Sequence, residues 1–138
     1  MTKYTIDNLF YSWTREIVLD CTSAGIDINA LNEYTGNSLY FCKHVDAVKA
    51  IIEAGIELNQ TDRYGNNTLF CNTAPYVLKL LIHSGVNIQH KNNKGQSCLH
   101  PNHHDIECSE ILCNSGVEIH SVDNKCKTVL ITSVFDYL

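Results

Sequence analysis

The chain has 138 residues, 44% of them hydrophobic and 18% charged, with a formal net charge of −5. That composition suits one ordinary globular domain, and no apolar run approaches the roughly 20 residues that a membrane-spanning helix needs. The acidic balance argues against nucleic acid, whose binders carry a basic face; the ten basic residues are scattered along the chain, and the spots at Lys91/Lys94 and Lys125/Lys127 read as solvated tips. Residues 1–7 are followed by no apolar h-region, so they do not read as a secretory signal. The cysteines number seven, an odd count without the spacing of a disulfide scaffold. Cys71, Cys108 and Cys113 stand where apolar residues stand elsewhere in the chain, as small buried hydrophobes do. A reducing, cytoplasmic compartment is the reading.

One period organises the sequence. A leucine recurs at Leu9, Leu39, Leu69, Leu99 and Leu130, and a glycine followed by a β-branched residue recurs at Gly25, Gly55, Gly85 and Gly116, both at steps of 30 or 31. Such self-similarity marks a stack of like units. Two residues before each leucine stands Asp7, Asn37, Asn67, Ser97 or Thr128, all residue types that cap a helix N-terminus. A short inner helix is expected there. A second apolar run at offsets of three and four precedes each glycine, which marks one face of an outer helix. The glycine then ends that helix in the left-handed conformation. An extended loop with a turn at its tip completes the unit.

In chain order, the units fall at 7–36, 37–66, 67–96 and 97–127, with a partial unit at 128–138. In the first, Tyr11 and Trp13 are large for a terminal position and read as a plug on the end of the stack, or as contact with a preceding domain. In the second, Asp46 is expected to cap the outer helix. In the third, Pro75 falls where an outer helix starts and its missing N–H does no harm. In the fourth, Pro101 shortens the inner helix. Beyond Leu130, the apolar residues Ile131, Val134 and Phe135 make an inner helix with no outer partner. That suggests a piece of a longer protein, or a helix that caps the stack by itself.

This order resembles the ankyrin repeat. The phrase Cys98-Leu99-His100 after Ser97 is nearest to its Thr-Pro-Leu-His signature, and the runs 48–55 and 77–85 match its outer helix. The fold expected is an all-α ankyrin-repeat solenoid of four helix-turn-helix repeats plus a terminal half-repeat. Its units are shorter than the usual length of about 33 residues, and the loss falls in the inner helix or the turn after it. The phrases 34–42 and 64–71 also resemble the C-terminal ankyrin region of the OspC family of type III secreted bacterial effectors. That resemblance implies a virulence role. In such effectors an N-terminal enzyme modifies arginine with an NAD-derived group, as an ADP-riboxanthinase, and the repeats capture host caspases to block cell death. The enzyme domain is not in this chain. The implication here is a secreted substrate-docking piece that acts in the host cytosol.

Three kinds of chemistry can be weighed. His100, His103 and His104 with Cys98 and Cys108 could suggest zinc, but no Cys-x-x-Cys pair exists, and His100 stands where the signature histidine bonds backbone. A cysteine nucleophile needs a base and an oxyanion hole; Gly36, Gly65 and Gly95 read as turn glycines, not as a phosphate cradle. Neither catalysis, nor a cofactor, nor a metal is expected. The alternatives kept are a metal- or redox-responsive unit in the fourth repeat and an architectural spacer. Loops on a rigid scaffold carry binding, so the expected function is protein–protein interaction. The residues expected to carry it are Glu33, Tyr34, Arg63, Tyr64, Asn93 and Lys94 on the tips, with Tyr40 and Phe70 beside them. Tyrosine and arginine are enriched at interface hot spots. Alternatively, Tyr34 and Tyr64 stack on each other as a structural ladder.

Overall fold

The computed structural model describes residues 3–72, 74–102 and 105–129, and over them the secondary structure is helical. In order, the elements are α1 (Ile6–Phe10), α2 (Arg15–Ser23), a 3-10 turn (Ser38–Tyr40), α3 (Val45–Glu53), α4 (Thr68–Cys71), α5 (Pro75–His83), α6 (Leu99–Asn102) and α7 (Ile106–Asn114). The pairing of extended backbone among the described residues is one antiparallel bridge, Val122 with Thr128. No helix among them is long and apolar enough to cross a membrane. The helix expected after Leu130 lies outside the described residues.

The long helices α2, α3, α5 and α7 have nine residues each and pack side by side in one layer. The short elements form a second layer against them. Each element touches only its own partner and the next unit along, so the core is linear and every unit depends on its neighbours. Leu9, Leu39, Leu69 and Leu99 sit between the layers with no exposed surface, beside Val18, Val48, Leu78 and Leu112 from the long helices. Each such leucine contributes about 1.5–3 kcal/mol of burial.

Local chemistry sets the element ends. Asn37 and Asn67 cap as expected: each side-chain oxygen accepts the N–H two residues on, at 3.1 and 3.2 Å. Each side-chain nitrogen also donates across its own unit to the loop after the long helix, to Glu57 O at 3.0 Å and Asn87 O at 2.9 Å. Asp7 is not a cap. It lies inside α1, because Asn8 Oδ1 takes the Thr5 N–H at 2.7 Å and starts the helix earlier. Asp46 likewise lies in the first turn of α3, after an N-cap His44 that makes no side-chain cap bond. Ser97 gives its N–H to His100 Nδ1 at 3.1 Å, and α6 starts at Leu99. Pro75 is the first residue of α5.

At the other end of α2, Gly25 takes φ 87°. Its N–H reaches Thr22 O at 3.1 Å, and the Ile26 N–H reaches Cys21 O at 3.0 Å. This double closure satisfies the last free carbonyls and turns Ile26 back toward the core.

The inner elements are one turn each, shorter than their outer partners. A polar column runs between them. Cys42 Sγ lies 3.3 Å from Ser12 O, and the buried Asn102 donates to Leu69 O at 2.9 Å and to Cys98 O at 2.7 Å. These bonds join backbone groups of adjacent units where a one-turn helix leaves carbonyls without a partner.

Candidate partner-binding face

The four tips are built on one plan. An Asn or Asp opens each turn and its side-chain oxygen accepts two backbone N–H groups ahead of it. Asn32 takes those of Tyr34 and Gly36, at 2.9 and 3.0 Å. Asp62 takes those of Tyr64 and Asn66, at 2.8 and 2.9 Å. Asn92 takes Lys94 and Gln96, both at 3.0 Å. Asp123 takes Lys125 and Lys127, at 2.8 and 2.9 Å, and these bonds hold its carboxyl below the usual carboxylate range. Short polar side chains fold turns this way. Sequence reasoning gave these four residues no role, although their own spacing of 30, 30 and 31 carried the signal.

Successive tips are also joined to each other. The Arg63 N–H donates to Tyr34 O at 2.9 Å, Asn93 to Tyr64 O at 3.1 Å, and Asn124 to Lys94 O at 2.9 Å. The Asn93 and Asn124 side chains add a second bond back to the preceding tip. The close approach restricts Gly65. Its φ is 77°, and a Cβ there would run into the side chain and backbone N of Asn93. Gly36 closes the first turn, as a turn glycine should, with its N–H on Asn32 Oδ1, but it does not hold the left-handed position. The left-handed position of the first tip is Thr35, at φ 63°, and that of the fourth is Cys126, at φ 58°.

On this row Glu33, Tyr34, Arg63, Tyr64, Asn93 and Lys94 are all exposed. The Arg63 guanidinium lies 4.3 Å from the Tyr34 ring centre and 5.0 Å from that of Tyr64. It donates to the Tyr64 hydroxyl at 2.8 Å. The two rings are therefore bridged by a cation, not stacked on each other. A guanidinium held over aromatic faces gains about 0.5–1 kcal/mol per exposed ring. Its remaining N–H groups are left for a partner.

Tyr40 and Phe70 do not join that surface. They are 6% and 7% exposed. The Tyr40 hydroxyl sits 2.6 Å from both Gln60 O and Asn66 O, and donates to one at a time. It pins the loop that carries the second tip. Burial pushes its phenol well above the ordinary range, so it remains a donor. Phe70 meets the His90 ring edge-on at 6.1 Å, and His90 Nε2 lies 2.6 Å from Gly65 O. Phe70 still forms the floor of a cleft of about 400 Å³, whose walls include Tyr64, Asn92, Asn93, Lys94 and Pro101.

Tyr11 and Trp13 are not a plug: they are 59% and 69% exposed, with Tyr11 against Phe41 at 6.0 Å and Trp13 stacked on His44 at 6.4 Å. Of the cysteines, only Cys126 is exposed. Burial pushes the thiols of Cys71 and Cys108 up to about 11 and that of Cys98 to about 12, so they carry no thiolate at neutral pH. Among the described residues, no three His, Cys, Asp or Glu side chains gather as metal ligands. His103 and His104, which the metal alternative needs, lie outside them. No protein-family model matches the chain, and no curated protein matches it in sequence.

Proposed function

We propose that this chain is an ankyrin-type solenoid that binds a partner protein along its row of tips, and that it carries out no catalysis itself. The observation that carries the proposal is the tip row: exposed Tyr34 and Tyr64 bridged by Arg63, on turns tied to one another by backbone hydrogen bonds. Ordering loops at an interface is a large cost of association. Here the turns are ordered before any partner arrives. On the resemblance of phrases 34–42 and 64–71 to the OspC effectors, the proposed partner is a host caspase met in the host cytosol, and this chain is the docking part.

The test is capture of the partner by the whole chain and by an Arg63→Ala/Tyr64→Ala variant. Truncating an anchoring hot-spot residue costs at least about 2 kcal/mol. The expected result is capture reduced by about thirtyfold or more, with the melting temperature nearly unchanged. Equal capture refutes the assignment of the row. Joint loss of capture and of thermal stability makes the two residues structural.

A further inference from the structure

Charge is sorted between the two sides of this fold. The segments holding the long helices and the loops after them (15–30, 45–60, 75–90 and 106–121) carry nine carboxylates against three cations. The first tip segment (31–36) carries one charge, that of Glu33, whereas the second, third and fourth (61–66, 91–96 and 122–127) carry five cations, Arg63, Lys91, Lys94, Lys125 and Lys127. All five are exposed. The two aspartates in these segments, Asp62 and Asp123, are half-buried at the turn bases, each taking two backbone N–H groups. The ion pair among the described residues is Arg15 with Glu53, at 2.6 Å, between α2 and α3. None of the tip lysines is neutralised in this way.

We propose that this cationic row is the docking surface for an extended acidic segment of a partner protein. The proposal rests on the reading of the tip row as a protein-binding face and names the chemistry of what binds there. Lys94 and Lys125 hold equivalent positions on adjacent tips, joined by the bond from Asn124 N–H to Lys94 O, so the distance between them is fixed by the fold. Adjacent helices pack about 8–10 Å apart, and an extended polyproline-II-like segment advances about 3.1 Å per residue with three residues per turn. Carboxylates at every third residue of such a segment fall on one side and meet Arg63, Lys94 and Lys125 in turn. The cleft beside Tyr64 and Phe70 receives an apolar side chain between them. A long polyanion fits less well. The acidic back of the molecule repels it, whereas a short segment stays within the row.

The probe is a fluorescein-labelled peptide with glutamate at every third position, titrated with the whole chain and followed by anisotropy at low and at moderate salt. Two charge reversals of equal net charge are compared: Lys94→Glu/Lys125→Glu on the tips and Lys49→Glu/Lys79→Glu on the long helices. Electrostatic steering along a charged face changes association by about tenfold or more and fades with salt. The expected result is binding weakened at least about tenfold by the tip reversal and by salt, and unchanged by the helix reversal. Absence of binding, equal loss in both reversals, equal binding of the glutamine version of the peptide, or tighter binding of a single-stranded oligonucleotide of the same charge overturns the proposal. If Arg63→Ala/Tyr64→Ala loses partner capture while Lys94→Glu/Lys125→Glu keeps it, the binding face stands and only its acidic ligand falls.

Discussion

Asn67 performs two tasks with one side chain, and the two can be separated. Its Oδ1 caps the first turn of α4 by accepting the Leu69 N–H, while its Nδ2 reaches Asn87 O in the loop after α5 at 2.9 Å. The residue is 1% exposed. Replacing it with alanine removes a cap worth about 1 kcal/mol. It also leaves Asn87 O without its donor, at about 1–3 kcal/mol, toward the lower end where water can reach it. The expected loss for Asn67→Ala is about 2–3 kcal/mol. Asn67→Ser keeps an oxygen for the cap and loses only the reach to the loop after α5, so about half of that loss is expected. Urea denaturation of the two variants beside the wild type measures both. With total stability of about 5–15 kcal/mol for a domain, these shifts are easily resolved. If serine costs as much as alanine, the cap contributes nothing and the reasoning is wrong. If alanine costs under about 0.5 kcal/mol, neither bond matters. Asn37, with the same pair of bonds, should repeat the pattern one unit earlier.

Gly25→Ala and Gly65→Ala both force a left-handed residue, at about 1–2 kcal/mol. Only the second adds a collision with Asn93, which raises its expected cost to about 3 kcal/mol, so melting temperatures that drop equally would show that the tips are not tightly joined. The buried Cys98 thiol gives a pH signature. Below about pH 8.5, folded and unfolded chains both keep the proton. Above that pH the unfolded thiol ionises and the folded one, raised to about 12, does not. Stability therefore falls as pH climbs toward 12, and Cys98 alone accounts for about 3 kcal/mol by pH 10.5. Denaturation midpoints of wild type and Cys98→Ala at pH 7.5 and about 10.5 check this; parallel losses in the two proteins would remove Cys98 as a source.

The parts of the fold legible in the sequence are those that one residue type can encode. A leucine between layers and a glycine at a helix end have few substitutes, so they recur visibly every 30 or 31 residues. Contacts that several residue types can make were hidden. Tyr40 looked like an exposed aromatic because the phenol is amphipathic, yet its hydroxyl reaches loop carbonyls of its own unit. Thr35 takes the left-handed position that glycine holds in the next two tips, which moved the apparent turn by one residue onto Gly36. The start of α1 shifted because Asn8, outside the expected cap position, takes the Thr5 N–H, and α3 starts after His44 without any side-chain cap.

The charge pattern was missed for a different reason. Scattered along a line, ten basic residues among fifteen acidic ones look like an ordinary solvated surface. A fold with a fixed step converts sequence distance into spatial alignment: residues 31 apart, such as Lys94 and Lys125, come to share one edge. A period that buries leucines on one side must therefore sort every other property by its phase, charge included. In this chain the acidic phase falls on the long helices and the basic phase on the last three tips. The net charge of −5 thus describes the long-helix side, and says little about what the tips attract. Because backbone hydrogen bonds hold those tips in register, the chain positions that bear the cations cannot spread apart, and only rotation of the side chains themselves relieves their repulsion.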